Sequence, residues 1–444
     1  WEIYNDPELN SLEDQLNINN QNIKQAFEQF MEARTLIAQA RSQLYPTLSV
    51  GPSYSYSHSS ASLRNTFGAT ASGGSTSGST PRTGVSSELV TLPFQATWEP
   101  DLWGRVRNTI REQQYNAQLS AADLENERLT EQASLAAMFF ELRGQDALQK
   151  ILDETVAADQ KSVELTRARY ETGVDTELSL VQAENTLQNA QSTAINLGIA
   201  RAQFEHAIAV LIGTTPSGFS MGAKTLDAAP PPIPIGVPTQ LLERRPDIAA
   251  AERNMASANA QIGIATAAYY PNLTLNGEAG FESSLIKNLL IWPSSFWTVG
   301  PSVSQTIFDA GLRRATVRQF TALYNANLAA YRQTVLTAFQ QVEDNLASVR
   351  ILSKQIQEQQ LAVDSARRFL ELAQARYETG VDTYLNVLVA QTTLLSDQET
   401  LSNLHTQAMT SSVQLIEALG GGWDRSQLPS PAQVSQKVSE SKAN

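Results

Sequence analysis

A nine-residue string, Ala-Arg-Tyr-Glu-Thr-Gly-Val-Asp-Thr, occupies Ala168–Thr176 and recurs at Ala375–Thr383, 207 positions on. Chance does not return nine identical residues at close to half the length of a 444-residue chain. The chain is therefore a tandem duplication, and whatever one half builds the other builds again. The period is far longer than the roughly 20–50 residues of solenoid and propeller repeats. It points to two copies of a whole supersecondary module and to internal pseudo-symmetry.

Each string reads as a tight turn between two antiparallel helices. Gly173 and Gly380 suit the left-handed position that ends a helix, with Val174 and Val381 following as its apolar contact. Asp175-Thr176 and Asp382-Thr383 offer oxygens to cap the next helix. Turn chemistry alone would tolerate Asn for Gly or Ser for Thr. The identity extends back through Ala-Arg-Tyr, so two readings stand: a turn and nothing more, or a surface that a partner reads.

The flanking segments repeat as well. Residues 7–44 and 248–268 read as helix and lead to Tyr45-Pro46-Thr47-Leu48 and Tyr270-Pro271-Asn272-Leu273. Strand regions follow over 46–104 and 270–309, then long helical stretches over 101–213 and 309–420, leaving 1–6, 214–247 and 421–444 as connections. The helices ending at Glu171 and Glu378 would each run about 70 residues, on the order of 100 Å at 1.5 Å per residue. Leu312–Glu378 holds neither proline nor glycine and is rich in Ala, Leu, Gln, Arg and Glu, all good helix formers. Its small apolar side chains let helices approach closely, as in a coiled coil. Asp101 and Asp309 are placed to cap these helices.

The strand regions alternate. Leu48, Val50, Pro52, Tyr54 and Tyr56 interleave with Thr47, Ser49, Gly51, Ser53 and Ser55. Leu92, Phe94, Ala96 and Trp98 interleave with Thr91, Gln95, Thr97 and Glu99, and the same pattern runs through 272–282 and 297–307. Period-two alternation over about ten residues is what a tilted strand needs to cross a bilayer. A half-buried strand of a soluble sandwich alternates in the same way. Two details favour the membrane: these strands exceed the usual five or six residues or so, and Tyr45, Trp98, Trp103, Tyr270, Trp292 and Trp297 cluster near strand ends, where interfacial aromatics sit. Four strands cannot close a membrane barrel, whose practical minimum is about eight. Strands in lipid would therefore have to be shared among several chains. The Ser/Gly/Thr-rich 57–88 connection reads as an outer loop.

Composition excludes more than it identifies. A formal net charge of −13 argues against nucleic acid. No cysteine is present, so thiolate metal sites, disulfides and cysteine nucleophiles are absent. No apolar run approaches the about 18 residues of a spanning helix, and the opening residues carry no secretory leader. His58, His206 and His405 lack metal-ligand spacing. No catalytic triad, phosphate loop or paired-carboxylate site is evident, so we expect neither an enzyme nor a cofactor. Arg244-Arg245-Pro246-Asp247 reads as a helix start, with the arginines as packing or ion-pair residues. Glu99, Glu278 and Glu282 fall on the polar strand face, where they would make a pore lumen acidic. On the residues alone, a trans-membrane duct and a soluble coiled-coil scaffold with small β modules both remain.

Pro238–Ile248 (Pro-Thr-Gln-Leu-Leu-Glu-Arg-Arg-Pro-Asp-Ile), Tyr270–Leu273, Ile307–Gly311, Ala375–Val381 and Tyr4–Leu9 together resemble the TolC family of bacterial outer-membrane channels. The nearest branch is the lipoprotein group (OprM-like, NodT-type) that serves resistance-nodulation-division (RND) efflux pumps. The resemblance implies an α+β membrane protein. It would be a homotrimer in which each chain gives four strands to a 12-stranded β-barrel and its helices to a long periplasmic α-barrel. An equatorial belt would come from 228–236 and the C-terminal tail. The implied function is a passive exit duct in outer-membrane lipid, fed by an inner-membrane RND pump through a periplasmic adaptor (membrane fusion protein). It would export drugs or other toxic small molecules, with metal-ion efflux or type I protein secretion as alternatives. A lipid-bearing N-terminal cysteine, usual in the branch, is not among these residues. The nonapeptide turns would form the adaptor-docking tip through Gly173, Val174, Asp175, Thr176, Gly380, Val381, Asp382 and Thr383. The resting gate would lie just beyond, on Leu385, Asn386 and Val389. Many members carry an aspartate where this chain has Val389, so a hydrophobic ring is expected here in place of an acidic, cation-binding one.

Overall fold

The computed structural model describes residues 1–60, 85–226, 230–232 and 243–436. Most of the expected 228–236 belt segment and of the 57–88 loop, and the end of the C-terminal tail, lie outside the described residues. Seven helices carry the described architecture: α1 (Pro7–Asn19), α2 (Gln21–Ser42), α3 (Arg105–Glu171), α4 (Glu177–Leu211), α5 (Pro246–Ala267), α6 (Leu312–Glu378) and α7 (Tyr384–Ala418). The strands are β1 (Thr47–Val50), β2 (Ser53–Ser59), β3 (Val85–Trp98), β4 (Asn272–Ser283) and β5 (Ser295–Ser304).

The duplication holds to the residue. α3 and α6 each contain 67 residues and α4 and α7 each contain 35, with every boundary offset by 207. α2 and α5 are both 22 residues long, and their offset is 225. The difference, 225 − 207 = 18 residues, falls between α2 and α3, where the β2–β3 connection and β3 itself are longer than the β4–β5 connection and β5.

The chain divides into two units. One comprises Thr35–Gln114 and Ala256–Asn325. It is built on an antiparallel sheet in which β1 and β2 both pair with β3, β3 with β4, and β4 with β5. The register sorts the alternating residues onto two faces. Leu48, Ala96, Gly277 and Val299 stand side by side, as do Val50, Phe94, Ala279 and Trp297. On the opposite face Ser49, Gln95, Glu278 and Thr298 form a polar row. The apolar face is not a core: Leu48, Val50, Phe94, Trp297, Val299 and Val303 are all exposed. The first strand is not continuous, as the alternation over 46–58 suggested. It breaks at Gly51-Pro52 opposite Leu92-Pro93, where two prolines remove two ladder donors from one level of the sheet.

Helix ends in this unit are capped as expected, with a lag. α3 starts at Arg105 rather than at 101, and the Asp101 carboxylate reaches forward to the Arg107 N–H at 2.9 Å. Asp309 takes the N–H groups of Gly311 (2.9 Å) and Arg313 (3.2 Å), starting α6 at Leu312. The aromatics are pinned at these junctions. Trp103 stacks on Tyr270 at 4.8 Å and donates its indole N–H to the Pro271 carbonyl, and Trp98 donates to the Leu44 carbonyl.

The other unit comprises Trp1–Arg34, Tyr115–Met255 and Ala326–Asn444. Its principal core gathers Leu9, Leu12 and Leu16 of α1 with Leu135, Phe139 and Leu142 of α3, Ile208 of α4, and Met409 and Val413 of α7. The expected single helix over 7–44 is broken at Asn20. Its side-chain oxygen caps α2 by accepting from the N–H groups of Asn22 and Ile23, and its amide donates to Glu131 and to the Leu211 carbonyl. Glu13 shares the apolar face of α1. Burial without any hydrogen-bond partner among the described residues pushes its carboxyl up to about 8.

Arg245 is an ion-pair residue. It holds Asp247 through two nitrogens (3.0 and 2.7 Å) and donates to Gln341 and to the Ala418 carbonyl at the end of α7. The backbone of Arg244 passes so close to Gly420 that a Cβ there would lie 2.0 Å from its carbonyl oxygen. Gly420, Gly421 and Gly422 all have positive φ.

Candidate functional site

The two nonapeptides fold as the same turn. In the first, Val174 N–H bonds the Arg169 carbonyl and Gly173 N–H the Tyr170 carbonyl, both at 2.9 Å, with Gly173 at φ 75°. In the second, Val381 reaches Arg376 at 2.9 Å and Gly380 reaches Tyr377 at 3.0 Å, with Gly380 at φ 74°. This is the paired bonding of a Schellman C-cap. The expected apolar contact of the valines is absent: Val174 is 64% exposed and Val381 67%. The residue each would cover is an arginine, Arg169 or Arg376, whose guanidinium turns to Asp175 or Asp382 instead.

The caps diverge. Thr176 accepts the Ser179 N–H onto its hydroxyl, as expected. Thr383 makes no such bond. Asp175 and Asp382 each accept the N–H of the threonine that follows, at 2.9 and 2.8 Å, and Asp382 also accepts from the Asn386 side-chain amide at 2.6 Å. Asn386 stands where the first half has Ser179, whose N–H bonds the Thr176 hydroxyl.

The strings also meet each other. The Tyr377 hydroxyl donates to Asp175 Oδ2 at 2.5 Å and lies 3.2 Å from the Thr166 hydroxyl. The Arg169 guanidinium lies over the Tyr377 ring, 4.6 Å from its centroid, and donates to the Glu378 carbonyl. Tyr377 is 3% exposed. Burial and then the Asp175 carboxylate raise the Tyr377 hydroxyl's pKa. Burial pushes the Asp175 carboxyl upward, but the bonds from Tyr377, Ser179 and Thr176 outweigh it and hold the carboxyl below its ordinary value. Next to this pair, Tyr384 meets Tyr377 edge-on at 5.6 Å. Burial, followed by the charge of Asp159, raises the Tyr384 hydroxyl to about 12, and burial raises Asp159 itself to about 6. Gln391 donates to the Ser162 hydroxyl further along. Beyond the repeated tyrosine, no pattern in the sequence points to this cluster.

Leu385, Asn386 and Val389 lie on one exposed face of α7, out of phase with buried Tyr384, Val387 and Ala390. Leu385 is 54% exposed and Val389 47%. Their apolar side chains are thus available to whatever lies beyond this face, the arrangement a hydrophobic constriction requires.

The acidic residues separate. Glu278 and Glu282 stand on the polar face of β4, with Gln95 donating to Glu278 at 3.3 Å and Thr91 opposite Glu282. Glu99 does not join them. It lies past the end of β3 at Trp98, and its carboxylate is taken by Arg105 at 2.9 Å. The strand alternation could not reveal a cation from the next helix. His58 contacts the Ser86 hydroxyl, and no group of metal-ligating side chains is found among the described residues.

A family model for outer membrane efflux proteins matches residues 12–214 and 237–421. The toluene efflux pump outer membrane protein TtgC of Pseudomonas putida is 31% identical over 424 residues, covering 95% of this chain and 84% of that protein. The solvent efflux pump outer membrane protein SrpC, also of Pseudomonas putida, is 32% identical over 437 residues, 96% and 88%. Among solved structures, the outer-membrane channel OprN superposes with a TM-score of 0.84 at 28% identity, covering 95% of this chain and 92% of that one. CusC superposes with a TM-score of 0.85 at 26% identity, covering 95% and 94%.

Proposed function

Because this chain belongs to the outer membrane efflux protein family, we propose that it forms the passive exit duct of a tripartite efflux system. Three copies would share one barrel, and a periplasmic adaptor would join the duct to an inner-membrane RND pump. The observation that carries this reading is the sheet. Its apolar face is exposed along its height, and both edges, β1/β2 and β5, lack a partner strand among the described residues. In hydrocarbon each unpaired backbone group costs several kcal/mol, so such a sheet is stable only when closed. The two edge strands run in opposite directions, so the β5 edge of one copy can pair antiparallel with the first strand of the next. Counting the broken β1/β2 as one, three copies give twelve strands. Glu278 and Glu282 would then face the lumen and favour cations mildly. The exposed Val174 and Val381 suit an adaptor that docks by apolar contact at the turns. Relatives named for toluene, solvent and antibiotic efflux support drugs and other toxic small molecules as the exported class.

Leu385 and Val389 are proposed to close the resting duct by excluding water. The detergent-solubilised protein should run as a trimer and conduct in planar bilayers. Leu385→Ala should raise leak conductance, and Val389→Asp should shift selectivity toward cations. Unchanged single-channel traces for both would remove the gate assignment. A monomer that stays soluble without detergent would remove the duct.

A further inference from the structure

The two nonapeptides are identical in sequence and unequal in surroundings, and the inequality has a direction. The buried cluster takes its tyrosine, Tyr377, from the second copy, and its arginine and aspartate, Arg169 and Asp175, from the first. The complementary set exists in the same chain and is not assembled. Tyr170, the first copy's tyrosine, is 42% exposed. Arg376, the second copy's arginine, has a side chain 61% exposed, against 17% for Arg169. Yet Arg376 and Asp382 are already arranged like their counterparts: Arg376 Nε lies 3.3 Å from Asp382 Oδ2, and Arg169 Nε lies 3.6 Å from Asp175 Oδ2. A cation to lie over a ring and a carboxylate to accept a phenol are thus held together on an exposed surface.

We infer that a second copy of this chain completes the set: Tyr170 of one copy seats against Arg376 and Asp382 of its neighbour. This repeats between chains the contact that Tyr377 makes within one. A second copy is indicated over any other partner because the chain carries its own ligand. The same nine residues in the same backbone turn already recognise one another once, with the phenol, guanidinium and carboxylate in matching places. Such a contact is head-to-tail, the kind that closes a ring. It rests on the trimeric reading above, in which six turns alternate between seams within a chain and seams between chains.

The two seams are unequal. Tyr384, which lends the intrachain seam its second ring, has Glu177 at the equivalent position, and Asp159 has Ala366. The interchain seam therefore carries one aromatic ring where the intrachain seam carries two, and it is the weaker of the pair.

The absence of cysteine gives the test a clean background. A tyrosine–carboxylate pair holds its backbones further apart than the about 4.4–6.8 Å that a disulfide spans, so a short bis-maleimide is the probe. The full-length Tyr170→Cys/Asp382→Cys protein, cross-linked in detergent, should shift to bands of two and three chains. Tyr377→Cys/Asp175→Cys should react within one chain and keep the monomer's mass. If a double variant fails to fold, copies bearing Tyr170→Cys and Asp382→Cys singly, with different tags, should cross-link to each other and not to themselves. Tyr170→Phe, which keeps the ring, should lower the temperature at which the trimer dissociates. A protein that is trimeric by native mass, yet gives no interchain product from either Tyr170/Asp382 design, overturns the contact and leaves the duct reading intact. A protein with no trimer overturns both.

Discussion

The two turns share nine residues and the same backbone hydrogen bonds, yet their side chains have different fates. Tyr377 is enclosed while Tyr170 lies open, and Arg169 is stacked while Arg376 is exposed. Local sequence accounts for everything the turns have in common, since a glycine at positive φ and two helix ends need nothing from elsewhere. It accounts for none of the difference. That comes from residues outside the string, namely Thr166, Tyr384 and Asp159 around Tyr377, whose counterparts 207 positions away are Ala373, Glu177 and Ala366.

The two turns differ most at their tyrosines. Tyr377→Ala removes a buried ring and leaves Asp175 without its phenol, and it should cost about 3–5 kcal/mol, as large aromatic deletions do. Tyr170→Ala should cost far less, and its effect should depend on assembly. Thermal unfolding in detergent distinguishes them, and equal losses would show that the two environments are alike. Asp159 sharpens the contrast through pH. Its folded value near 6 lies above the ordinary carboxylate value, so the native state holds its proton more tightly than the unfolded state. Its contribution is therefore neutral at low pH and becomes unfavourable as pH rises from about 4 to about 6. Asp159→Asn should stabilise the protein at pH 8 by about 1–3 kcal/mol and do little at pH 4. A gain of the same size at both pH values would contradict the assignment.

Gly173→Ala and Gly380→Ala should each cost about 1–2 kcal/mol. The two costs should be equal, because a Cβ at either position meets nothing within 4 Å and only the backbone conformation is strained. The smallest effect separates the caps. Thr176→Ala should lose about 1 kcal/mol, whereas Thr383→Ala should be near neutral because its hydroxyl accepts no cap bond. Chemical denaturation of the paired variants reads both.

Much of this was legible because it is periodic or local. Alternation of two placed Leu48, Phe94 and Trp297 on one face of the sheet and Glu278 on the other, and the aspartates before α3 and α6 announced their caps. What stayed hidden is non-local or a matter of single residues. Asn20 breaks a helix that composition would continue, because its side chain offers the backbone an alternative bond. Pro52 interrupts a strand whose alternation is unbroken. Glu99 looks like a strand-face acid until Arg105, on the next helix, neutralises it. Tyr377 bonds an aspartate 202 residues away, and no window on the sequence can tell which of two identical tyrosines will do so.

The glycines after α7 bear on a different matter, the changes this chain can accept. At Gly420 even a methyl group would collide with the Arg244 carbonyl, which no side-chain rotation can clear. At Gly421 the nearest obstacle is the flexible Leu129 side chain, and at Gly422 no atom lies within 4 Å, so there only the backbone at φ 92° opposes a side chain. A library randomised over these three codons and selected for function should return glycine alone at 420 and glycine with a few replacements at 421 and 422, where the left-handed backbone costs any side chain about 1–2 kcal/mol. Three adjacent copies of one amino acid would then be kept for three different reasons: a backbone collision, a side-chain collision and backbone conformation alone.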